Sequence, residues 1–275
     1  MVKDFQLRFF SSIFLFIPLF LLFSKSNFIF LFIIQLLLSL SLWEFFRLKS
    51  FKDYIKKQKK INTLLSRHKI SSLDFVIIFK VNLALLLTFY YSNIMVFVVL
   101  IFFLLYSYLI LKFDFEKLLG LVYCSTPFFI LVNLRNDYNY EQFLFFIFFF
   151  TILTDVFSFF IGKIFKGKKI YPSISSGKTF SGTIGGIVIP CILSLLMFIN
   201  LKDFYLVVFS SIFFSMIVQL GDFLESYFKR LCNVKDSGNL IPGHGGVLDR
   251  FDGLFLLVMV IFILKILNFN FFFII

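Results

Sequence analysis

Residues 142–161 read QFLFFIFFFTILTDVFSFFI, a run with one ionisable side chain, Asp155. At about 1.5 Å per residue, such a run crosses the roughly 30 Å hydrocarbon core of a bilayer as a helix. A closed β-barrel would need short strands of alternating polarity, which unbroken Phe, Leu and Ile runs do not supply. Comparable runs occupy roughly 9–23, 27–43, 75–91, 94–111, 118–134, 183–200, 204–221 and 254–271, making nine in all. The 275-residue chain is 60% hydrophobic, contains 48 Phe and has a mean hydropathy of +0.97. The expectation is an all-α polytopic integral membrane protein with about nine transmembrane helices.

A formal net charge of +12 invites a nucleic-acid partner, but its placement argues for topology. Nine spans put 1–8, 44–74, 112–117, 162–182 and 222–253 on one side, and these segments hold 22 of the 27 Lys and Arg residues. Only Lys25, Arg135 and Lys202 fall in the opposite loops, while Lys80 and Lys265 lie within spans. Cytoplasmic loops carry such an excess, so the N-terminus and the polar loops are expected in the cytoplasm, with no nucleic acid bound. The run from Arg47 to Lys69 reads as a retention signal, with contact to anionic headgroups as the sharper alternative. The first span follows Lys3 and Arg8 as a signal peptide would, yet no small-residue cleavage site follows it, so it is expected to stay. Cys124, Cys191 and Cys232 are scattered without CxxC partners and read as inert.

The chain reads as a single membrane domain, 1–275. Spans one to five and the basic loop 44–74 make up 1–141; spans six to nine, with loops 162–182 and 222–253, make up a catalytic half, 142–275. Tight turns at 92–93 and 200–203 leave little outside the cell. Polar mass on the cytoplasmic side suits an enzyme with a water-soluble substrate, and the lack of an internal repeat weakens a transporter reading.

The long polar passage of the second half is Gln219–Gly253, QLGDFLESYFKRLCNVKDSGNLIPGHGGVLDRFDG. Asp222, Glu225, Ser226, Lys229 and Arg230 are spaced i, i+3, i+4, i+7 and i+8, so a helix continuing past Gly221 places all five on one face. A solvated face laced by Glu225–Lys229 pairing is the plainer alternative. Pro242, Gly243, Gly245 and Gly246 around His244 break any helix and let backbone approach a phosphate. Asp249 and Asp252 flank Arg250 at the start of the last span, where a helix N-terminus favours negative charge and one of them could serve as a cap. Carboxylates for a divalent cation beside cations for phosphate are what nucleotide handling requires.

A second constellation runs from Thr154 to Gly186. Asp155 is ionisable inside a span, which is costly and points to function, with pairing to Lys163 as the alternative. GKT at 177–179 is not a Walker A motif, because Pro172 stands where a glycine is needed. Lys178 and Thr179 nonetheless offer an ammonium and a hydroxyl to a triphosphate. Lys166, Lys168 and Lys169 read as ordinary basic loop residues.

The run SYFKRLCNVKDSGNLIPGHGGVLDRFD, Ser226 to Asp252, resembles the signature of the phosphatidate cytidylyltransferase (CDP-diacylglycerol synthase) family. Asp155–Gly162 and SSGKTFSG, Ser175–Gly182, are similar to two further segments of that family. Here Ser158 and Phe159 replace its Ala-Tyr, Ser176 a proline and Ser181 a glutamate. The resemblance implies condensation of CTP with phosphatidic acid at the cytoplasmic boundary of a bacterial cytoplasmic (inner) membrane, giving CDP-diacylglycerol and pyrophosphate. Membrane lipids are further partners, and a homodimer is left open. It also implies Mg2+, one ion or two, on Asp222 and Asp249, with Glu225 and Asp252 as further ligands or as groups that support the ligands. Ser226 then borders the metal or a substrate phosphate. Lys229, Arg230, Lys235 and Arg250 bind phosphates, Lys178 and Thr179 hold the nucleotide, and Asp155, Asp236, His244, Gly245 and Gly246 complete the substrate set. Other readings are a related CTP-dependent lipid kinase or cytidylyltransferase, and a cation-coupled transporter with carboxylates near mid-membrane.

Overall fold

The computed structural model describes residues 17–18, 20–58, 70–90, 114–135, 140–175, 177–198, 204–240 and 245–267. Among these residues seven helices follow in order: α1 Asn27–Gln58, α2 Ser72–Tyr90, α3 Phe115–Leu134, α4 Tyr140–Phe165, α5 Phe180–Phe198, α6 Phe204–Leu231 and α7 Leu248–Ile266. Six of them, all but α7, are long and apolar enough to cross a membrane. Seven of the nine expected spans coincide with these helices; the fourth, 94–111, and most of the first, 9–23, lie outside the described residues.

Two boundaries correct the expectation. The segment 44–74, expected as a loop, is helical to Gln58, and α6 carries the expected loop 222–253 as helix to Leu231. Hydropathy marks only the stretch that prefers lipid. A helix propagates beyond it through Leu, Lys, Glu and Arg until glycine, proline or a capping residue stops it.

The chain forms two compact units, 1–136 with 231–250, and 137–230 with 251–275. In the first, α1 buries Phe30, Ile34, Leu38, Leu42 and Phe46 at helical spacing, and packs on α2 and α3. Ile77, Val81 and Leu85 of α2 and Leu121, Cys124 and Phe128 of α3 complete this core. One end of the unit is charged. Lys49 Nζ lies 2.8 Å from Glu116 Oε2 and 3.0 Å from Asp53 Oδ1, Lys52 Nζ lies 2.7 Å from Glu116 Oε2, and Lys117 Nζ lies 3.3 Å from Asp74 Oδ1. Ser71 and Asp74 start α2 with a reciprocal cap: Ser71 Oγ donates to Asp74 Oδ2 while the Asp74 N–H donates to Ser71 Oγ. Cys232 is buried in this unit, and burial above all pushes its thiol up to about 12.

In the second unit α4 and α5 lie backbone to backbone. A Cβ at Gly182 would stand 2.5 Å from the Ser158 carbonyl oxygen, and one at Gly186 would stand 2.9 Å from that of Thr154. Small residues four apart give such close approach, and dispersion across it drives helix association in lipid. Helix α6 meets α4 through Phe150 and Phe214, edge to face at 5.5 Å, and meets α5 through Gln219 Nε2, which donates to the Thr183 carbonyl at 3.1 Å. Hydroxyls inside the helices donate within their own helix, Thr151 to the Ile147 carbonyl at 2.7 Å and Ser211 to that of Val207 at 2.6 Å. Phe159, Phe160, Leu196 and Phe209 point outward, an apolar surface suited to lipid.

Candidate active site

Because α6 continues to Leu231, Asp222, Glu225, Ser226, Lys229 and Arg230 do share a face. That face points inward. Glu225 and Lys229 are buried, and Asp222, Ser226 and Arg230 are half-buried, whereas Leu220, Leu224, Tyr227 and Leu231 form the exposed stripe. A solvated amphipathic helix does the reverse, so the solvated-face reading does not hold. Lys229 Nζ lies 3.3 Å from Glu225 Oε1, their side chains 10% and 2% exposed. Burying such a pair costs desolvation, which makes it weak evidence for stability and stronger evidence for a use. Lys178 Nζ reaches Asp222 Oδ2 at 2.6 Å, and Ser226 Oγ donates to Asp222 Oδ1 at 3.3 Å. Arg230 Nε donates to the Ile174 carbonyl at 2.8 Å, tying α6 to the α4–α5 loop. Asp252 of α7 is buried in this unit, where the charges of Asp222, Asp155 and Lys229 all act on it.

The α4–α5 loop folds back on itself through an antiparallel bridge between Lys169 and Thr179. The Ile170 N–H donates to the Lys178 carbonyl at 3.2 Å and the Phe180 N–H to that of Lys168 at 2.8 Å. Backbone bonds thus hold Lys178 while its side chain crosses to Asp222. Thr179 caps α5, its Oγ1 accepting the Gly182 N–H at 3.1 Å. Ser181 Oγ accepts the Gly167 N–H at 3.2 Å and so closes the loop locally. Lys166, Lys168 and Lys169 are exposed.

A separate polar turn belongs to the first unit. Asp249 Oδ2 accepts the Ser237 N–H at 2.9 Å and the Gly246 N–H at 2.8 Å, as a capping carboxylate does. Gly245 holds φ +89°, a conformation that side-chain-bearing residues avoid, and a Cβ there would stand 2.6 Å from Asp249 Oδ2. Lys235, Asp236 and Arg250 are exposed, Gly246 is buried, and His244 lies outside the described residues.

Two residues absent from the expected site enter this turn from α1. Glu44, fully buried, accepts the Leu248 N–H at 2.8 Å and the Ser237 hydroxyl at 3.0 Å on Oε2, and the Val247 N–H at 3.0 Å on Oε1. Arg47 donates to the Ser237 carbonyl at 3.1 Å, and its guanidinium lies 4.2 Å from the Trp43 ring centre. One signal in the sequence pointed to Glu44: an acid at the edge of an apolar span, before a run of cations.

A cavity of about 410 Å³ in the second unit is lined by Tyr171, Lys178, Ile187, Met216, Leu220 and Phe223, among others. Apolar walls with one ammonium suit an anionic amphiphile. Among the described residues no three His, Cys, Asp or Glu side chains close around one point. Mg2+ does not need that, since it keeps several waters and takes one or two carboxylates together with phosphate oxygens. Asp222 and Asp252 carry oxygen donors of the hard kind that Mg2+ takes.

Residues 6–267 match the model of the cytidylyltransferase family. The chain is similar to the phosphatidate cytidylyltransferase of Rickettsia conorii, 35% identical over 161 residues, which are 55% of this chain and 70% of the relative. It is also similar to that of Bacillus subtilis, 40% identical over 148 residues covering 51% and 54% of the two chains. With that of Staphylococcus saprophyticus it shares 37% identity over 178 residues, 60% of this chain and 65% of the relative. A family match over nearly the whole length, on a helical scaffold with acidic and basic side chains paired inside it, makes this chain a member of the cytidylyltransferase family.

Proposed function

We propose that the protein transfers the cytidylyl group of CTP to phosphatidic acid, forming CDP-diacylglycerol and pyrophosphate for phospholipid biosynthesis. The observation that carries this is the inward-facing seam of α6 in a cytidylyltransferase-family chain, with Asp222 on Lys178 and Glu225 on Lys229. A phosphate oxygen of phosphatidic acid attacks the α-phosphorus of CTP. The new P–O bond forms as the bond from the α-phosphorus to the bridging oxygen breaks, and pyrophosphate leaves with the electron pair. The attacking phosphate is already ionised, so positioning and charge neutralisation do the work and no general base is needed.

In this reading Lys178 exchanges Asp222 for a nucleotide phosphate, with Thr179 holding the loop that carries it. Lys229, Arg230, Lys235 and Arg250 bind phosphates, Ser226 steadies Asp222, and Asp155, Asp236, His244, Gly245 and Gly246 complete the substrate-binding set. Asp222 and Asp249, with Glu225 and Asp252, would hold Mg2+, one ion or two. Bound there, it would offset the negative charge shared by the nucleophile and the triphosphate. The apolar cavity beside Lys178 suits the acyl chains of the lipid.

The finer topology belongs to the same proposal: one membrane domain of nine spans, with a cytoplasmic N-terminus and active-site boundary, in a bacterial inner membrane. Its support is the Lys and Arg excess, together with contacts between segments assigned to one side: Glu44 with Ser237, Lys49 with Glu116 and Lys117 with Asp74. A homodimer is carried forward as an expectation, to be read by crosslinking in native membranes.

The test is purified protein in detergent–phosphatidate micelles with Mg2+ and CTP labelled in the cytosine ring. Label should enter the lipid phase, and should fail to do so without phosphatidate or after chelation. Absence of label with several lipid phosphates, from folded protein, would overturn the assignment.

A further inference from the structure

We infer that Glu44 is a positioning residue for the turn from Ser237 to Asp249, with Arg47 as its companion. The kinetic part of this inference rests on the function proposed above; the structural part does not. Gly238, Gly245 and Gly246 restrict the backbone of the turn little, and the N–H groups of Val247 and Leu248, at the start of α7, have no intrahelical acceptors.

Two carboxylates take up those donors. Asp249 accepts from the N–H groups of Ser237 and Gly246, and Glu44, from 193 residues away, accepts from Ser237 Oγ and from the N–H groups of Val247 and Leu248. Glu44 also occupies the space that side chains on the turn would need. A Cβ at Gly246 would stand 2.5 Å from Glu44 Oε2, and one at Gly238 would stand 2.6 Å from Glu44 Oε1. Arg47 holds the Ser237 carbonyl from the same helix, one turn further on. The carboxylate of Glu44 therefore sets where the backbone of the turn lies, and so the direction from which α7 presents Asp249.

A glutamine cannot replace it. Both oxygens of Glu44 face donors, so either orientation of an amide turns its NH2 toward an N–H or O–H group. Aspartate keeps two acceptor oxygens on a stem one methylene shorter. This separates positioning from bulk packing, because a merely structural role would lower the yield of folded protein without changing turnover per folded molecule.

The experiment compares full-length wild type, Glu44→Gln and Glu44→Asp in detergent by amide hydrogen exchange without substrates, and by the lipid-labelling assay. Glu44→Gln should speed exchange across 237–249 by about tenfold or more while α2 and α3 keep their wild-type rates. Its kcat should fall about tenfold with the KM for CTP within about threefold, and Glu44→Asp should recover part of both losses. Wild-type exchange across 237–249 in Glu44→Gln would overturn the inference, as would uniform loosening of α2 and α3 with no rescue by aspartate. If Glu44→Gln does not fold, Ser237→Ala, which removes one of the three donors, must speed exchange in the turn, and an unchanged rate there overturns the inference equally. Failure of wild type to label any lipid phosphate would remove the proposed function, while the exchange comparison would still decide the role of Glu44.

Discussion

In the turn from Ser237 to Asp249 the carboxylates of Glu44 and Asp249 accept mostly from backbone N–H groups, whereas on α6 those of Asp222 and Glu225 face the ammoniums of Lys178 and Lys229. A backbone donor cannot leave its acceptor unless the chain itself moves. An ammonium on a four-carbon stem can swing to a phosphate and back. The same side-chain chemistry thus makes a frame in one place and an exchangeable charge in the other. Exposure marks Lys178–Asp222 as the accessible pair, each side chain more than a quarter exposed, whereas Glu44 in the turn and Glu225 and Lys229 on α6 are buried.

The largest effects test that division directly. Asp222→Asn and Asp249→Asn should each cut turnover by about a thousandfold, because each removes a carboxylate proposed to hold Mg2+. Only Asp249→Asn should also speed amide exchange in 237–247, since only it gives up two backbone donors. If Asp222→Asn loosened the turn as well, or kept turnover within fivefold of wild type, the comparison would break. Gly245→Ala comes next. It forces a side chain into positive φ against Asp249 Oδ2, at a cost of about 1–3 kcal/mol, and should appear as faster exchange confined to the turn.

Lys178→Met probes the exchangeable side. The KM for CTP should rise about tenfold, roughly 1.4 kcal/mol, with partial recovery in Lys178→Arg, and steady-state kinetics at saturating phosphatidate would measure it. An unchanged KM would make the Lys178–Asp222 pair a fixed strut like those of the turn. The smallest effect is expected from Lys166→Ala, an exposed position on the same loop, where activity should stay within about twofold. A collapse there would move the nucleotide contact away from Lys178.

The fold was largely legible in the chain. Apolar runs at 118–134, 142–161 and 183–200 fall on α3, α4 and α5, whereas α1 and α6 overrun their apolar cores because helix propagation does not stop where hydropathy does. The helical spacing of residues 222 to 230 was equally legible, being a property of one helix. The burial of that face was not, since identical spacing serves a wet surface or a dry seam. Thr179 was read for the nucleotide and Asp249 for the metal, with a cap as the plainer alternative; both are engaged by backbone amides, a use that depends on which amides lie nearby.

Sequence alone determined that this is a helical membrane protein carrying acidic and basic residues in its second half. The transfer of side chains into lipid, and the need to satisfy backbone groups there, are set by each segment itself. Tertiary structure alone decided that Lys178 answers Asp222, that Arg230 holds the Ile174 carbonyl and that Glu44 serves Ser237, Val247 and Leu248. A hydrogen bond takes whichever partner packing brings within about 3 Å, and separation along the chain does not encode that distance.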